Sequence, residues 1–344
     1  MAGDRADVGI IGAGPIGLEL AVALKKQGIE YLHFDAKQIG YTISWFAPQT
    51  RFFSSNERIA IAGVPLDVPD QNKATREQYL AYLRTVAKLF DLDVRTYEPV
   101  SGIDRVGGEF LLTTNARGGK RTYRVGKLVL ATGGTDHPRK LNIPGEDLPH
   151  VSAYFQDPHE YFQRDLLIIG GKNSAVEAAL RSHHAGAHVA ISYRREKLPE
   201  KSIKYWLMPE ITHLIDAGRI AGHYATHPVA ITSTHVTLRK LADGSTFDVR
   251  ADFVLKLIGY EQDNTLLKLA GVKLLGDCGA PAYDDRTMET NVPGLYVAGT
   301  AVGGTQDKYA VFIENCHVHV DRIMAALTGA APPPAPAPLA RPES

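Results

Sequence analysis

Residues 12–17 read GAGPIG and residues 170–175 read GGKNSA. Each glycine cluster stands between a short apolar run and a stretch with helical spacing. DVGII (7–11) precedes the first, LELAVALKKQ (18–27) follows it and Gly28 closes the helix. EYLHFD (30–35) then reads as a second strand. The second cluster repeats the pattern: DLLII (165–169), the glycine turn, VEAALRSHHAG (176–186) and HVAISYRR (188–195). A strand–turn–helix–strand unit therefore recurs, with Gly170 standing 158 positions after Gly12. Such units build parallel sheets with helices on their faces, so the chain reads as α/β.

The turn chemistry narrows this further. In Gly12-x-Gly14-Pro15-x-Gly17 the first glycine permits the tight turn. The second leaves room for a pyrophosphate, and the third lets helix and strand approach. Free N–H groups at the helix start attract phosphate. Asp35, 18 positions after Gly17 at the end of the second strand, suits a ribose hydroxyl. This is a Rossmann-like dinucleotide fingerprint. In the second loop Gly170 and Ala175 keep their places and Lys172 replaces the middle glycine. Lys172 either adds a cation at the phosphates or pushes the cofactor away, and the first reading is preferred. The same spacing puts Tyr193, not an acid, at the ribose position, followed by Arg194 and Arg195. Two guanidinium groups suit a 2′-phosphate, which selects NADPH. Two loops with different ribose ends imply two dinucleotides: a resident flavin and a hydride donor.

The bulk numbers agree. At 344 residues the chain has room for about two domains. Lys+Arg and Asp+Glu number 38 each, so no net field draws it to nucleic acid or an anionic membrane. Cys278 and Cys316 are the only cysteines, too few for a disulfide framework or a structural zinc site. With no signal-like or membrane-spanning stretch at the start, a cytoplasmic enzyme is expected.

Between the loops, residues 74–90 read as a helix with Tyr79, Leu83, Val86 and Leu89–Phe90 on one side. Two hairpin strands follow around 100–125, then the buried strand of KLVLATGG (127–134). DFVLKLIGY (252–260) closes the second unit, GLYVAG (294–299) is a further strand, and a last helix is expected over about 309–327. We expect two Rossmann-like domains, the second inserted into the first. The FAD domain is placed at 1–155 and 262–327, the NADPH domain at 156–261, and a disordered Pro/Ala tail at 328–344.

VLATGG (129–134), SYRR (192–195), LIGY (257–260) and TNVPGLYVAGT (290–300), with both loops, resemble the thioredoxin-reductase-like flavoproteins. RFFSS (51–55), IPGEDLPHVSAYF (143–155), IGGKNSAVEAAL (169–180), KSIKYWLMPEI (201–211), METNVPGLYVAG (288–299) and FIEN (312–315) are similar to segments of the bacillithiol-disulfide (bacilliredoxin) reductases within that group. The resemblance implies FAD at Gly12, Gly14, Pro15, Gly17 and Asp35, with Ala131, Thr132, Gly133, Gly299 and Thr300 also near it. It implies NADPH at Gly170, Gly171, Lys172, Asn173, Ser174, Ala175, Arg194, Arg195 and Gly259. It further implies a domain rotation during turnover, a homo-oligomer, and bacillithiol disulfide as electron acceptor. Three departures stand out. No C-x-x-C is present, Thr300 replaces the acid of an A-G-D motif, and Ile16 replaces a cysteine of the first loop.

Cys316 is the one candidate for a reactive thiol, against the plainer reading of a buried apolar side chain. Cys278 reads as a turn residue. His317 and His319 lie two apart on a helix and share no face, so no metal is expected. Lys204, Tyr205 and Trp206 are read as core or cleft lining. Other functions remain open: a flavoprotein reductase for ferredoxin, quinone or oxygen, or a flavin-bound redox sensor.

Overall fold

The computed structural model describes residues 4–307, 310–331 and 333. They fall into two compact units. One takes the described chain up to Trp45, Ser54–His137 and the described chain from Tyr260 on; the other takes Phe46–Phe53 and Pro138–Gly259.

The first unit opens with β1 (Arg5–Ile11), α1 (Pro15–Lys26) and β2 (Tyr31–Phe34). The two strands are parallel, with Ile11 opposite Phe34. α2 (Arg76–Leu89) starts at a capping box in which Thr75 and Gln78 each take the other's backbone N–H. Its buried face is Tyr79, Tyr82, Leu83 and Val86; Leu89, expected there, ends the helix and is 63% exposed. β3 (Val94–Arg95), β4 (Val100–Val106), β5 (Glu109–Ala116) and β6 (Gly119–Leu130) follow. The second hairpin strand and the buried strand, expected as separate elements, are one. β6 pairs antiparallel with β5 through its first half and parallel with β1 through its second. Gly126 lets it pass, because a Cβ there would lie 3.1 Å from the Asp7 carbonyl.

The second unit has a parallel sheet in the order β10-β9-β8-β14-β7, built from β7 (Val151–Ser152), β8 (Asp165–Ile169), β9 (His188–Tyr193), β10 (Ala221–Tyr224) and β14 (Phe253–Lys256). α3 (Asn173–His184) links β8 to β9, and α4 (Met208–Asp216) precedes β10. β11 (Thr226–Ile231), β12 (His235–Lys240) and β13 (Thr246–Arg250) form a separate antiparallel sheet. The apolar run of β8 is explained by burial on both faces. Leu166 and Ile168 pack with Val176 and Ala179 of α3, while Leu167 and Ile169 pack with Val236 and Leu238 of β12.

This division differs from the expected boundary at residue 156. Residues 138–155 join the second unit because Leu141, Ile143, Leu148 and Val151 pack on its core. Gly145 lies so close to β11 that a Cβ would stand 1.9 Å from the Ile231 carbonyl. The buried Glu146 carboxylate pairs with Lys256 Nζ at 3.2 Å. Phe46–Phe53 also belongs there. Arg181 donates to the Pro48 carbonyl (2.7 Å), Lys204 Nζ to the Arg51 carbonyl (3.0 Å), and Phe53 stacks on Trp206.

The chain then returns to the first sheet, where β15 (Leu295–Val297) runs parallel to β6 with Val297 opposite Leu130. The last helix, α5, spans His317–Thr328 and starts later than expected, because Ile313–Asn315 is a 3-10 turn. Lys308, Tyr309 and most of the expected Pro/Ala tail, residue 332 and residues 334–344, lie outside the described residues. Among the described residues no helix is long and apolar enough to cross a membrane.

α5 is tied to α1 by an ion pair that carries little sequence signal. His317 Nδ1 lies 2.7 Å from Glu19 Oε2 and Nε2 lies 2.8 Å from the Arg58 carbonyl. Both ring nitrogens face acceptors, so the ring is held as imidazolium. Burial alone would lower its pKa; the Glu19 carboxylate outweighs that and raises it. The stabilisation is therefore complete below the ordinary histidine value and is lost as pH rises through the raised one. His317→Leu is expected to cost about 2–3 kcal/mol at neutral pH, because it leaves the partly buried Glu19 carboxylate with the Ala62 N–H but without its cationic partner. Chemical denaturation of wild type and variant measures it.

Candidate dinucleotide sites

In the first unit, β1 delivers Gly12 to the carboxyl end of the parallel strands. Gly12 has φ +110°, and a Cβ there would meet the Ala131 carbonyl at 2.3 Å. A Cβ on Gly17 would meet the Gly12 carbonyl at 2.0 Å, so helix and turn are in contact. Gly14 is different. Its φ of −74° and ψ of −177° suit any residue, and no atom lies within 4 Å of a Cβ built on it. Neither the backbone nor its neighbours require glycine at position 14. The space over the start of α1 is what a pyrophosphate needs, with Pro15 at the first turn. Asp35 follows β2, and its carboxylate accepts from Ala13 N and Lys37 N, both at 2.7 Å. Burial raises its pKa while these bonds pull it down, and the raised direction prevails. Lone pairs remain for ribose hydroxyls.

β6 and β15 bring their own glycines to the same sheet edge. Ala131 N donates to the Ile11 carbonyl and Ala298 N to that of Leu130. Gly134 N donates to Thr300 Oγ1 at 3.1 Å, and Gly133 and Thr132 lie in the same turn. Gly299 would place a Cβ 3.4 Å from that of Ile16. The structure thus gathers the ten residues expected around FAD at the carboxyl ends of the parallel strands, and Thr300 takes up a structural hydrogen bond where the related motif has an acid.

In the second unit Gly170 has φ +145°, and a Cβ there would stand 2.4 Å from the Leu257 carbonyl. Gly171 supports the Tyr193 ring, which a Cβ would meet at 2.5 Å. Lys172 caps α3 in extended geometry, with its side chain exposed beside the helix start. Asn173 accepts from Lys204 N at 2.6 Å, Ser174 is exposed and Ala175 is buried. Arg194 and Arg195 are exposed just past β9. Their loop is fixed by Ala225 N donating to the Arg195 carbonyl (2.9 Å) and by a Ser192–Thr226 hydroxyl pair (3.0 Å). Gly259 follows β14 with φ +100°. Lys204 is buried and salt-bridged to Glu177 on α3 at 2.8 Å, whereas Tyr205 is 68% exposed.

Cys316 is not placed for redox work. Cys316 is fully buried, and burial pushes its thiol far above the ordinary range. It packs in the core with Ile16, Val320 and Ile323, which corrects its candidacy as a reactive thiol. Cys278 is exposed in a turn. Among the described residues no three His, Cys, Asp or Glu side chains gather as metal ligands. His319 is buried, and its Nδ1 accepts from Gly299 N at 3.2 Å. Burial lowers its pKa to about 4. Unfolded chains take up this proton near pH 6.5 while the folded protein resists it, so stability falls as pH drops through that window. His319→Gln keeps an acceptor for Gly299 and is expected to reduce the stability lost between pH 7 and pH 5 by about 2 kcal/mol. Denaturation of both proteins at the two pH values tests this.

Residues 9–299 match the pyridine nucleotide-disulphide oxidoreductase family. Bacilliredoxin reductase Bdr of Bacillus subtilis is 35% identical over 319 residues, covering 92% of this chain and 96% of Bdr. The solved bacillithiol disulfide reductase Bdr of Bacillus cereus superposes with a TM-score of 0.89 at 36% identity, covering 94% of this chain and 99% of its own. That of Staphylococcus aureus gives 0.88 at 34%, covering 94% and 98%. The chain belongs to the pyridine nucleotide-disulphide oxidoreductase family. It is a thioredoxin-reductase-like flavoprotein oxidoreductase whose cofactors are FAD and NADPH.

Proposed function

We propose that the first unit holds FAD, the second holds NADPH, and the electrons go to a low-molecular-weight thiol disulfide such as bacillithiol disulfide. The observation that carries this reading is the pairing of an open Gly14 cradle and Asp35 in one unit with Lys172, Arg194 and Arg195 in the other. The likeness to Bdr over nearly its full length supports the acceptor.

When bound, NADPH would supply a hydride and FAD would carry its two electrons; a disulfide acceptor would take both with one proton from water and leave as two thiols. The chain's own residues bind and orient. Gly14 leaves space for the FAD pyrophosphate and the start of α1 presents N–H groups to it. Asp35 holds the adenosine ribose. Lys172 and the start of α3 take the NADPH pyrophosphate, and Arg194 with Arg195 takes the 2′-phosphate. With Cys316 buried and no C-x-x-C in the chain, the disulfide is reduced without a dithiol of this protein.

The test is steady-state NADPH consumption by the flavin-loaded protein with bacillithiol disulfide, glutathione disulfide, ferredoxin, a quinone or oxygen as acceptor. Fastest turnover with bacillithiol disulfide is expected. Turnover with ferredoxin or quinone and none with any disulfide would contradict the acceptor and leave the cofactors standing.

A further inference from the structure

The side chain of His33 lies wholly buried on β2, beneath the first glycine loop. Its Nε2 is 2.9 Å from the Gly12 carbonyl, and its Nδ1 is buried with no hydrogen-bond partner. α1 does not take up that carbonyl, because its opening bond runs from Leu18 N to the Gly14 carbonyl. The other end of the same peptide group is held as well, since Ala13 N donates to Asp35 Oδ2 at 2.7 Å. The C=O and N–H of the Gly12–Ala13 peptide are thus gripped by His33 of β2 and by Asp35 just past its end.

We infer that His33 is a positioning residue for FAD: its Nε2–H fixes the Gly12–Ala13 peptide, and with it the direction in which the loop presents its N–H groups to the pyrophosphate. This rests on the reading of the first loop as the flavin site. A carbonyl accepts and cannot donate, so Nε2 must carry the proton and Nδ1 must be bare. Burial lowers the ring's pKa to about 4, which keeps it in that neutral form at physiological pH. An apolar side chain of similar size would fill the same volume yet leave a buried carbonyl unpartnered and free to turn. The Gly17 Cα packs against the same carbonyl, so a turned peptide would also disturb the helix start.

Three measurements decide it. FAD is titrated into apoprotein of wild type, His33→Leu and His33→Gln by quenching of flavin fluorescence. His33→Leu is expected to bind about tenfold more weakly, the equivalent of one lost hydrogen bond. His33→Gln, which keeps an N–H donor, is expected within about threefold of wild type. NADPH titration is expected to be the same in all three proteins. Nitrogen NMR of histidine-labelled wild-type apoprotein is expected to show His33 as the Nε2–H tautomer at neutral pH, and this holds even if the leucine variant fails to fold. An FAD affinity in His33→Leu within twofold of wild type, or an Nδ1–H tautomer, overturns the inference. Wild-type apoprotein that takes up no FAD would instead overturn the flavin-site reading beneath it.

Discussion

Gly14→Ala is expected to give a protein that folds like wild type and binds FAD at least about 100-fold more weakly. The two halves of that expectation come from the same geometry. The backbone at Gly14 is ordinary extended chain, and an added methyl meets nothing within 4 Å. Removing glycine there also narrows the unfolded ensemble, so the apoprotein should lose no stability. The methyl group does, however, enter the space over the start of α1 that the pyrophosphate must occupy. Gly17→Ala is the contrasting variant. Its Cβ would stand 2.0 Å from the Gly12 carbonyl, so it should lower apoprotein stability and FAD affinity together. Thermal denaturation of the apoproteins and FAD titration separate the two. If Gly14→Ala binds FAD normally, the first loop is not the flavin phosphate site.

The second large effect is at the opposite cofactor. Replacing Arg194 and Arg195 by Ala should raise the KM for NADPH about 100-fold or more and leave that for NADH within about threefold. Each guanidinium makes charge-assisted bonds to a phosphate at a cost of roughly 1.5–3 kcal/mol when lost. NADH has no such phosphate to lose. The substitutions should not disturb the fold, because both side chains are exposed and the loop is held by Ala225, Ser192 and Thr226. Single substitution by Lys should recover part of the loss, since it restores charge without the bidentate fork. Equal effects on both nucleotides would show that the arginines serve the loop and not the 2′-phosphate.

Much of the fold was legible because its constraints are local. In each unit the loop glycines, the apolar run before them and the strand-end residues, Asp35 or Arg194–Arg195, lie within one short stretch, residues 5–35 or 165–195. What escaped depends on contacts distant in sequence. Nothing in residues 46–53 announces that Arg181 and Lys204 will bind their carbonyls. Residues 138–155 looked like a continuation of the first domain until their apolar side chains met β12. β6 read as two strands because its two halves have different partners and opposite pairing senses. The β11–β13 meander was missed although its alternation is visible, as in Val236 and Leu238 of HVTLRK.

The site residues missed were those that hold others in place. His33 interrupts an otherwise apolar strand, YLHF, which is the signal that could have found it. Glu19 and His317 are separated by nearly the whole chain, and only the packing of α1 on α5 brings them together. Cys316 was a candidate because reactive and inert cysteines look alike in sequence; only burial distinguishes them.

The central claim is that NADPH in one unit reduces FAD in the other. Anaerobic stopped-flow absorbance tests it most directly, with the flavin-loaded protein mixed against NADPH and separately against NADH at equal low concentration. Rapid bleaching of the flavin by NADPH, with NADH slower by about 100-fold, is the predicted result. A flavin that NADPH leaves oxidised, or that NADH bleaches equally fast, would contradict it.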